Sequence, residues 1–174
     1  WRFGDLPSAS QPAAWESAVK HPTFADWPCS VARTVDLVGD WWTPLVLREA
    51  FWGVRRFDDF QRNLGIGRNI LTQRLHRLVD EGLLARRPYQ ERPVRNEYVL
   101  TDKGRDFFPV VAAIVRWGDA WLAGDEGPPV ILHHMVCDHD MHAEVVCSQC
   151  GEPLDVRDVR GRPGPGCPAR PPGD

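Results

Sequence analysis

The stretch LGIGRNILTQRLHRLVDEGLL, residues 64–84, decides how the rest of the chain is read. Successive residues of a helix turn by about 100°. On that spacing Leu71, Leu75, Leu78 and Val79 share one side of a helix over residues 67–81, and Asn69, Gln73, His76 and Asp80 share the other. Thr72 and Arg77 lie at the margins. Taken alone, the polar side is as consistent with ordinary solvation as with recognition. The flanking segments decide between the two.

Upstream, RRFDDFQRNLG (55–65) places Phe57, Phe60 and Leu64 at i, i+3 and i+7, the spacing of a short helix. Asp58 and Asp59 suit the positive end of its dipole. Gly65-Ile66-Gly67 supplies a short glycine turn between the two helices, which makes a helix-turn-helix. Downstream of Gly82 the period becomes that of strands. LLARRPY and RNEYVLT, separated by QERPV, predict a β-hairpin with Arg92 and Arg95 near its tip. Pro88 confines the first strand to an edge or to its end. A hairpin in this place is a wing, and the predicted fold class is mainly α with small β: a winged helix-turn-helix domain.

The remaining elements are built around that centre. In CSVARTVDLVGD (29–40), Ser30 is expected to cap a short helix with a Val31, Val35, Val38 stripe, ended by Gly39. In WWTPLVLREAFWG, Thr43 is the expected N-cap and Pro44 the first helical residue, where a missing N–H costs nothing. Leu45, Val46, Phe51 and Trp52 are its candidate core residues, and Gly53 its stop. Thr101 is expected to open one long helix, kinked near Pro109. Phe107, Val111, Ile114, Val115, Trp117, Trp121 and Leu122 make that helix apolar over most of its circumference, so it is predicted to pack on the core and on a second subunit.

A length of 174 residues allows one main domain with appendages. The domain is expected over residues 29–124, after an N-terminal extension (1–28) whose Trp1, Trp15 and Trp27 dock on a neighbour. Residues 125–156 read as a Cys/His-rich β-hairpin. Residues 157–174, half of them Pro or Gly, are expected to be disordered. No run of about 18 apolar residues exists to span a membrane, and no secretory signal is evident. Five cysteines, three of them within residues 137–150, suit a metal site or reduced thiols better than a disulfide framework. A cytoplasmic protein is expected.

Net charge is −3, but it is unevenly spread. Residues 1–47 carry −2, residues 48–105 carry +5 with 13 basic and 8 acidic side chains, and residues 106–174 carry −6. The positive charge surrounds the opening stretch, and local charge sets the potential that a phosphate backbone feels.

The ordered set of Cys29 before the first helix, GDWWT, RRFDDFQ, ILTQRL, EGLL and YVLTDKG resembles the HxlR family of bacterial winged-helix regulators, relatives of the MarR family. The resemblance covers roughly residues 29–124. It implies a homodimeric transcription factor, often a repressor, that binds double-stranded DNA. It also implies that the outer helices, around 29–39 and 104–123, build the dimer interface. In some members the cysteine at the position of Cys29 is a redox or electrophile sensor. The two ends of the chain fall outside the core pattern.

A recognition helix enters the major groove with its N-terminal residues toward base edges. Here those are Arg68, Asn69, Thr72 and Gln73. Arg can bond guanine, and Asn or Gln adenine. His76 and Arg77 lie further along and are expected at phosphates. Arg92 and Arg95 are assigned to the flanking minor groove or backbone, and Arg55 and Arg56 to phosphate. Arg74 is expected in a structural ion pair. Arg86 and Arg87 fit strand surface as well as DNA contact. A dimer that places two such helices one turn apart calls for an inverted-repeat operator.

Cys29 precedes a helix, where the dipole favours thiolate; the alternative is a small apolar residue packed between helices. In HHMVCDHDMHAEVVCSQCGE (133–152), Cys147-x-x-Cys150-Gly is half of a zinc knuckle. Cys137 is the expected third ligand and His139 the fourth, with His142 and His134 as alternatives, giving structural zinc; the competing reading is a hairpin of reduced thiols. Two other functions compete with this one: a winged helix turned protein-interaction module, which would expose aromatics on the recognition helix, and a zinc enzyme with Glu144 or Glu152 as base, which a Cys-rich closed set disfavours. A small-molecule effector or an oxidant is the expected signal.

Overall fold

The computed structural model describes residues 23–167. Residues 1–22, with Trp1 and Trp15, and residues 168–174 lie outside the described part. The chain forms two compact units, one ending at Asp106 and the other beginning at Phe107. That division falls inside the long helix expected from Thr101, whereas the sequence reading divided after residue 124.

The first unit runs α1 (Ser30–Val38), α2 (Thr43–Phe51), α3 (Phe57–Leu64), α4 (Arg68–Asp80), β1 (Leu84–Glu91), β2 (Val94–Leu100) and α5 (Asp102–Asp106). Its core is one apolar cluster. Leu71, Leu75 and Leu78 of α4 are wholly buried, with Val46 and Leu47 of α2 and Phe60 of α3. Ile66 of the turn and Leu83 and Leu84 at the start of the hairpin complete it. Each such side chain contributes about 1.5–3 kcal/mol on burial. Gly65 ends α3 in the left-handed conformation, φ +62°, and its N–H donates to the carbonyl of Gln61. A side chain there would be strained, so the glycine sets the angle at which α4 leaves α3.

Strands β1 and β2 pair antiparallel from Leu84–Leu100 to Glu91–Val94, with a register shift between Pro88 and Gln90. Pro88 therefore sits within β1 rather than at its end. Residues 55–56 extend the sheet on the free side of β2: Tyr98 N donates to Arg55 O at 2.7 Å, and Arg56 bridges to Glu97. Thr101 Oγ1 donates to the Gly82 carbonyl and accepts from Gly104 N at 3.0 Å, closing the hairpin against α5. A Cβ on Gly104 would stand 2.1 Å from the Leu83 carbonyl oxygen, so only glycine fits there.

Two expected caps are corrected. Ser30 is the first residue of α1, not its cap; Cys29 holds the N-cap position, without a side-chain cap bond. For α2, Asp40 is the capping group, because its carboxylate accepts from the N–H groups of Trp42 and Thr43 and from the Thr43 hydroxyl. Pro44 still stands in the first turn. Leu45 and Trp52 are corrected too: both are exposed.

Polar ties join the helices where the apolar core does not. Glu49 is buried in α2, and its carboxylate accepts from Arg48 at 2.7 Å and from Asn63 of α3 at 2.8 Å. Such pairing is required of a buried charge. Asp36 of α1 accepts from Phe24 N at 2.8 Å and faces Arg77 of α4, whose guanidinium also donates to the Asp36 carbonyl at 2.7 Å. The Phe24 amide holds the Asp36 carboxyl below the usual aspartate range, burial opposes, and the Thr23 hydroxyl and Arg77 reinforce the depression.

The second unit holds α6 (Phe108–Leu122), β3 (Leu132–His134) and β4 (His139–Met141), the strands paired antiparallel. The break at Phe107, with Pro109 in the first turn of α6, takes the place of the expected kink. Along α6 only Val111 and Ala112 are buried, and Val110, Ile114, Trp117 and Trp121 are exposed. The segment expected to be disordered from residue 157 is described as far as 167, all of it exposed. An Asp155–Arg157 ion pair and turns at Asp158 and Cys167 define that path.

Two outcomes check this packing. Leu75→Ala, which empties a wholly buried site, lowers unfolding free energy by about 2–5 kcal/mol in urea denaturation. The Asp36 tie is depressed in pKa, so it is complete above about pH 4, near the ordinary aspartate value, and is lost as pH falls through the lower folded value. The Phe24 amide, followed by NMR in an acid titration, shifts with a midpoint below about 3.9. Asp36→Asn abolishes that shift, and a midpoint above the ordinary value would contradict the geometry.

Candidate nucleic-acid interface

The leucine side of α4 faces inward, so its opposite side faces out. Arg68, Asn69, Gln73 and His76 are all exposed, as the helical period requires. Thr72 is half-buried, and its hydroxyl donates to the Arg68 carbonyl at 2.8 Å, so that proton is already committed within the helix. The Arg68 guanidinium stacks 5.0 Å from the centre of the Phe57 ring, which steadies the start of α4 against α3. No aromatic side chain occupies the outward face of α4.

The wing stands beside it in the same unit. Arg92 lies in the turn and Arg95 in β2, both exposed. Arg55 and Arg56 are exposed too, on the segment that extends the sheet. Arg56 lies 4.7 Å from the centre of the Tyr89 ring, a stacking partner the sequence reading did not identify.

Arg77 departs from its expected role at phosphate. It is turned toward α1 and bound to Asp36. Arg74 takes the structural role expected of it, with Nε 3.0 Å from Asp40 Oδ1, although without the alignment of a hydrogen bond. Arg87 pairs with Glu97 across the hairpin. Arg48, Arg62 and Arg105 are likewise paired with carboxylates. Among the described residues, the arginines of this region without a carboxylate partner are Arg55, Arg56, Arg68, Arg86, Arg92 and Arg95. The uncompensated positive charge thus gathers at the start of α3, the start of α4 and the wing. Asp36 and Asp40, which divert Arg77 and Arg74, lie in another segment, and no short-range spacing signals that pairing.

The cysteines fall in different surroundings. Cys29 is exposed at the N-cap of α1. Cys137 is exposed and pairs with His134, whose Nδ1 is 3.2 Å from its sulfur. His139, the expected fourth ligand, instead has Nδ1 against the Cys137 carbonyl. His142 lies 3.4 Å from Glu144. Cys147 is held below the ordinary thiol range by the amide N–H groups of Cys150 and Gln149 and by the Cys150 thiol. Among the described residues no three His, Cys, Asp or Glu side chains are grouped as for a metal ion. An open cleft of about 320 Å³ in the second unit is lined by Val115, Ile131, Leu132 and Met141 together with Arg116, Asp119, Asp140 and His142. No described helix is long and apolar enough to cross a membrane.

Comparison with known proteins gives a consistent answer. Residues 37–126 match the model of the HxlR-like helix-turn-helix family. A regulator of Mycobacterium tuberculosis (strain H37Rv), named as an uncharacterised HTH-type transcriptional regulator, is 48% identical over 141 residues, which are 81% of this chain and 89% of that protein. A regulator of Synechocystis with the same kind of name is 41% identical over 95 residues, 54% of this chain and 70% of that one. Among solved structures, PA1607, a transcription-factor candidate, is similar with a TM-score of 0.73 and 36% identity, covering 81% of this chain and 99% of its own. The redox regulator HypR in its reduced form matches at a TM-score of 0.50 and 31% identity, over 53% of this chain and 92% of its own. These are regulators of transcription, not enzymes, which removes the zinc-enzyme alternative.

Proposed function

This chain belongs to the HxlR family of helix-turn-helix transcriptional regulators, and on that premise we propose that it binds double-stranded DNA sequence-specifically as a homodimer and acts as a repressor. One observation carries the reading: the polar face of α4 stands in solvent, turned outward by three wholly buried leucines. Arg68, Asn69 and Gln73 are the residues for base edges, with guanine or adenine as chemical partners. His76, Arg55, Arg56, Arg92 and Arg95 are the residues for phosphate and the adjoining minor groove. Arg77 is left out of that set by its bond to Asp36. The bare outer face of α4 speaks against a protein-interaction module, since such a face would offer aromatic anchors.

The homodimer is supported by the apolar side chains that the single chain leaves in water. Val110, Ile114, Trp117 and Trp121 form an i, i+4, i+7, i+11 stripe on α6, each at least 45% exposed. Val31 and Val35 do the same on α1. Contiguous apolar surface of this kind marks an interface, and a second copy presents the same surface to match it. The operator of such a dimer is an inverted repeat.

A redox response through Cys29 is the second reading, favoured by its exposed thiol at a helix N-cap and by the likeness to HypR. In that reading, oxidation or alkylation alters DNA affinity in the native chain and not in Cys29→Ser.

The main reading is tested by titrating DNA from upstream of the gene at several salt concentrations. The log–log slope is expected near −0.9 per phosphate contacted. Gln73→Ala costs about 1–3 kcal/mol at the specific site and little on random DNA; an equal loss on both would remove Gln73 from base reading. Ile114→Glu in α6 yields monomer by sedimentation and weakens operator binding; an unchanged dimer would move the interface elsewhere.

A further inference from the structure

The second unit contains the same turn twice. In Cys147-Ser-Gln-Cys150-Gly151, Gly151 N donates to the Cys147 carbonyl at 2.9 Å, and Gly151 has φ +77°. In His134-Met-Val-Cys137-Asp138, Asp138 N donates to the His134 carbonyl at 2.9 Å, and Asp138 has φ +57°. Each turn therefore presents a soft or borderline ligand at its first and fourth positions and a left-handed residue at its fifth. Asp138 is the one non-glycine with positive φ among the described residues. Aspartate is among the few side chains that accept that conformation, and it stands where the other turn uses glycine.

Both turns sit at hairpin ends. The first joins β3 to β4. The second is closed by the Val146–Pro153 bridge, with Cys147 N donating to the Glu152 carbonyl at 2.8 Å. In the first turn the two ligand atoms face one another, with His134 Nδ1 3.2 Å from Cys137 Sγ; in the second, Gln149 N donates to Cys147 Sγ at 3.5 Å. Packing does not explain these cysteines, since Cys137 and Cys150 are exposed and a packing cysteine is buried. His133 braces the first turn from outside, with Nε2 3.1 Å from Asp138 and Nδ1 2.9 Å from Asp140.

We propose that His134, Cys137, Cys147 and Cys150 form a closed, four-ligand structural zinc site built from two knuckles. A Cys₃His set is one of the recurring structural zinc sets, tetrahedral and without an open position. His139 and His142 are outside it, because neither stands at the first or fourth position of either turn. The two pairs are not assembled into one ligand group in this structure. Zinc binding and local folding are coupled, so the ion supplies the cross-link that draws the hairpins together.

The full chain, made without a histidine tag and dialysed, is tested by elemental analysis and by replacing zinc with cobalt(II). One zinc per chain is expected, with a cobalt spectrum of tetrahedral type and thiolate charge-transfer bands. His134→Ala and Cys150→Ser lower zinc affinity by more than about 10–100-fold, the loss seen for even an outer partner. His139→Ala leaves affinity unchanged. His134→Cys guards against simple misfolding: it retains one zinc, and its cobalt bands move toward those of an all-sulfur site. Zinc lost in His139→Ala but kept in His134→Ala would overturn the ligand assignment. Dialysed native chain without bound zinc, or with a Cys147–Cys150 disulfide, would overturn the site itself.

Discussion

The inward seating of Leu71, Leu75 and Leu78 fixes everything that faces the other way. A helix has one rotational freedom about its own axis, and three side chains with no exposure remove it. Turning α4 by a single residue would carry a leucine into water and a polar group into the core. The transfer cost alone is about 1.5–3 kcal/mol per leucine, and a buried, unpaired polar group adds more. Arg68, Asn69 and Gln73 therefore keep their outward direction, Arg68 with the added stack on Phe57. Gly65, left-handed at the end of α3, fixes the remaining variable, the angle at which α4 departs.

Around that apolar seating, the polar groups divide into those that hold the domain and those left to meet a partner. Asp40 caps α2 and receives Arg74; Asp36 takes the Phe24 amide and Arg77; Glu49 takes Arg48 and Asn63. The Glu49–Asn63 tie joins α2 to α3, which the apolar cluster already brings together, whereas the Asp36–Arg77 tie holds α1, none of whose residues is buried. Arginine is suited to both kinds of work, since its fork of donors binds a carboxylate or a phosphate equally well. Which work a given arginine does is decided by whether a carboxylate of the fold reaches it first.

That division explains what the sequence discloses and what it withholds. The leucine period, the glycine turn, the hairpin with arginines at its tip and the HxlR pattern are local, within one or two turns of chain, and they are where the sequence placed them. Arg77 is expected at phosphate because it lies further along the recognition helix. Its partner, Asp36, is 41 positions away. Thr43 looked like a cap by residue type, yet Asp40 reaches both free amides from three residues upstream. Leu45 and Trp52 looked like core because apolar residues on a helix usually are, but α2 buries a face that runs through Val46, Leu47 and Ala50.

The distribution of charge then follows from the ion pairs rather than from composition. Residues 48–105 carry an excess of five positive charges, a modest figure for a DNA-binding face. Six carboxylate pairs absorb arginines that lie away from the outward side of α4 or across the hairpin. What remains uncompensated is concentrated at Arg55, Arg56, Arg68, Arg86, Arg92 and Arg95. Arg87 could exchange Glu97 for a phosphate only by leaving a carboxylate that is 15% exposed without its partner. Arg77 is differently placed, since leaving Asp36 would also strand a backbone carbonyl in a partly buried place. A net charge of −3 is therefore no obstacle to binding a polyanion: the potential at the groove is set by the charges the fold has left unpaired within about 8 Å of it, the Debye length at physiological salt.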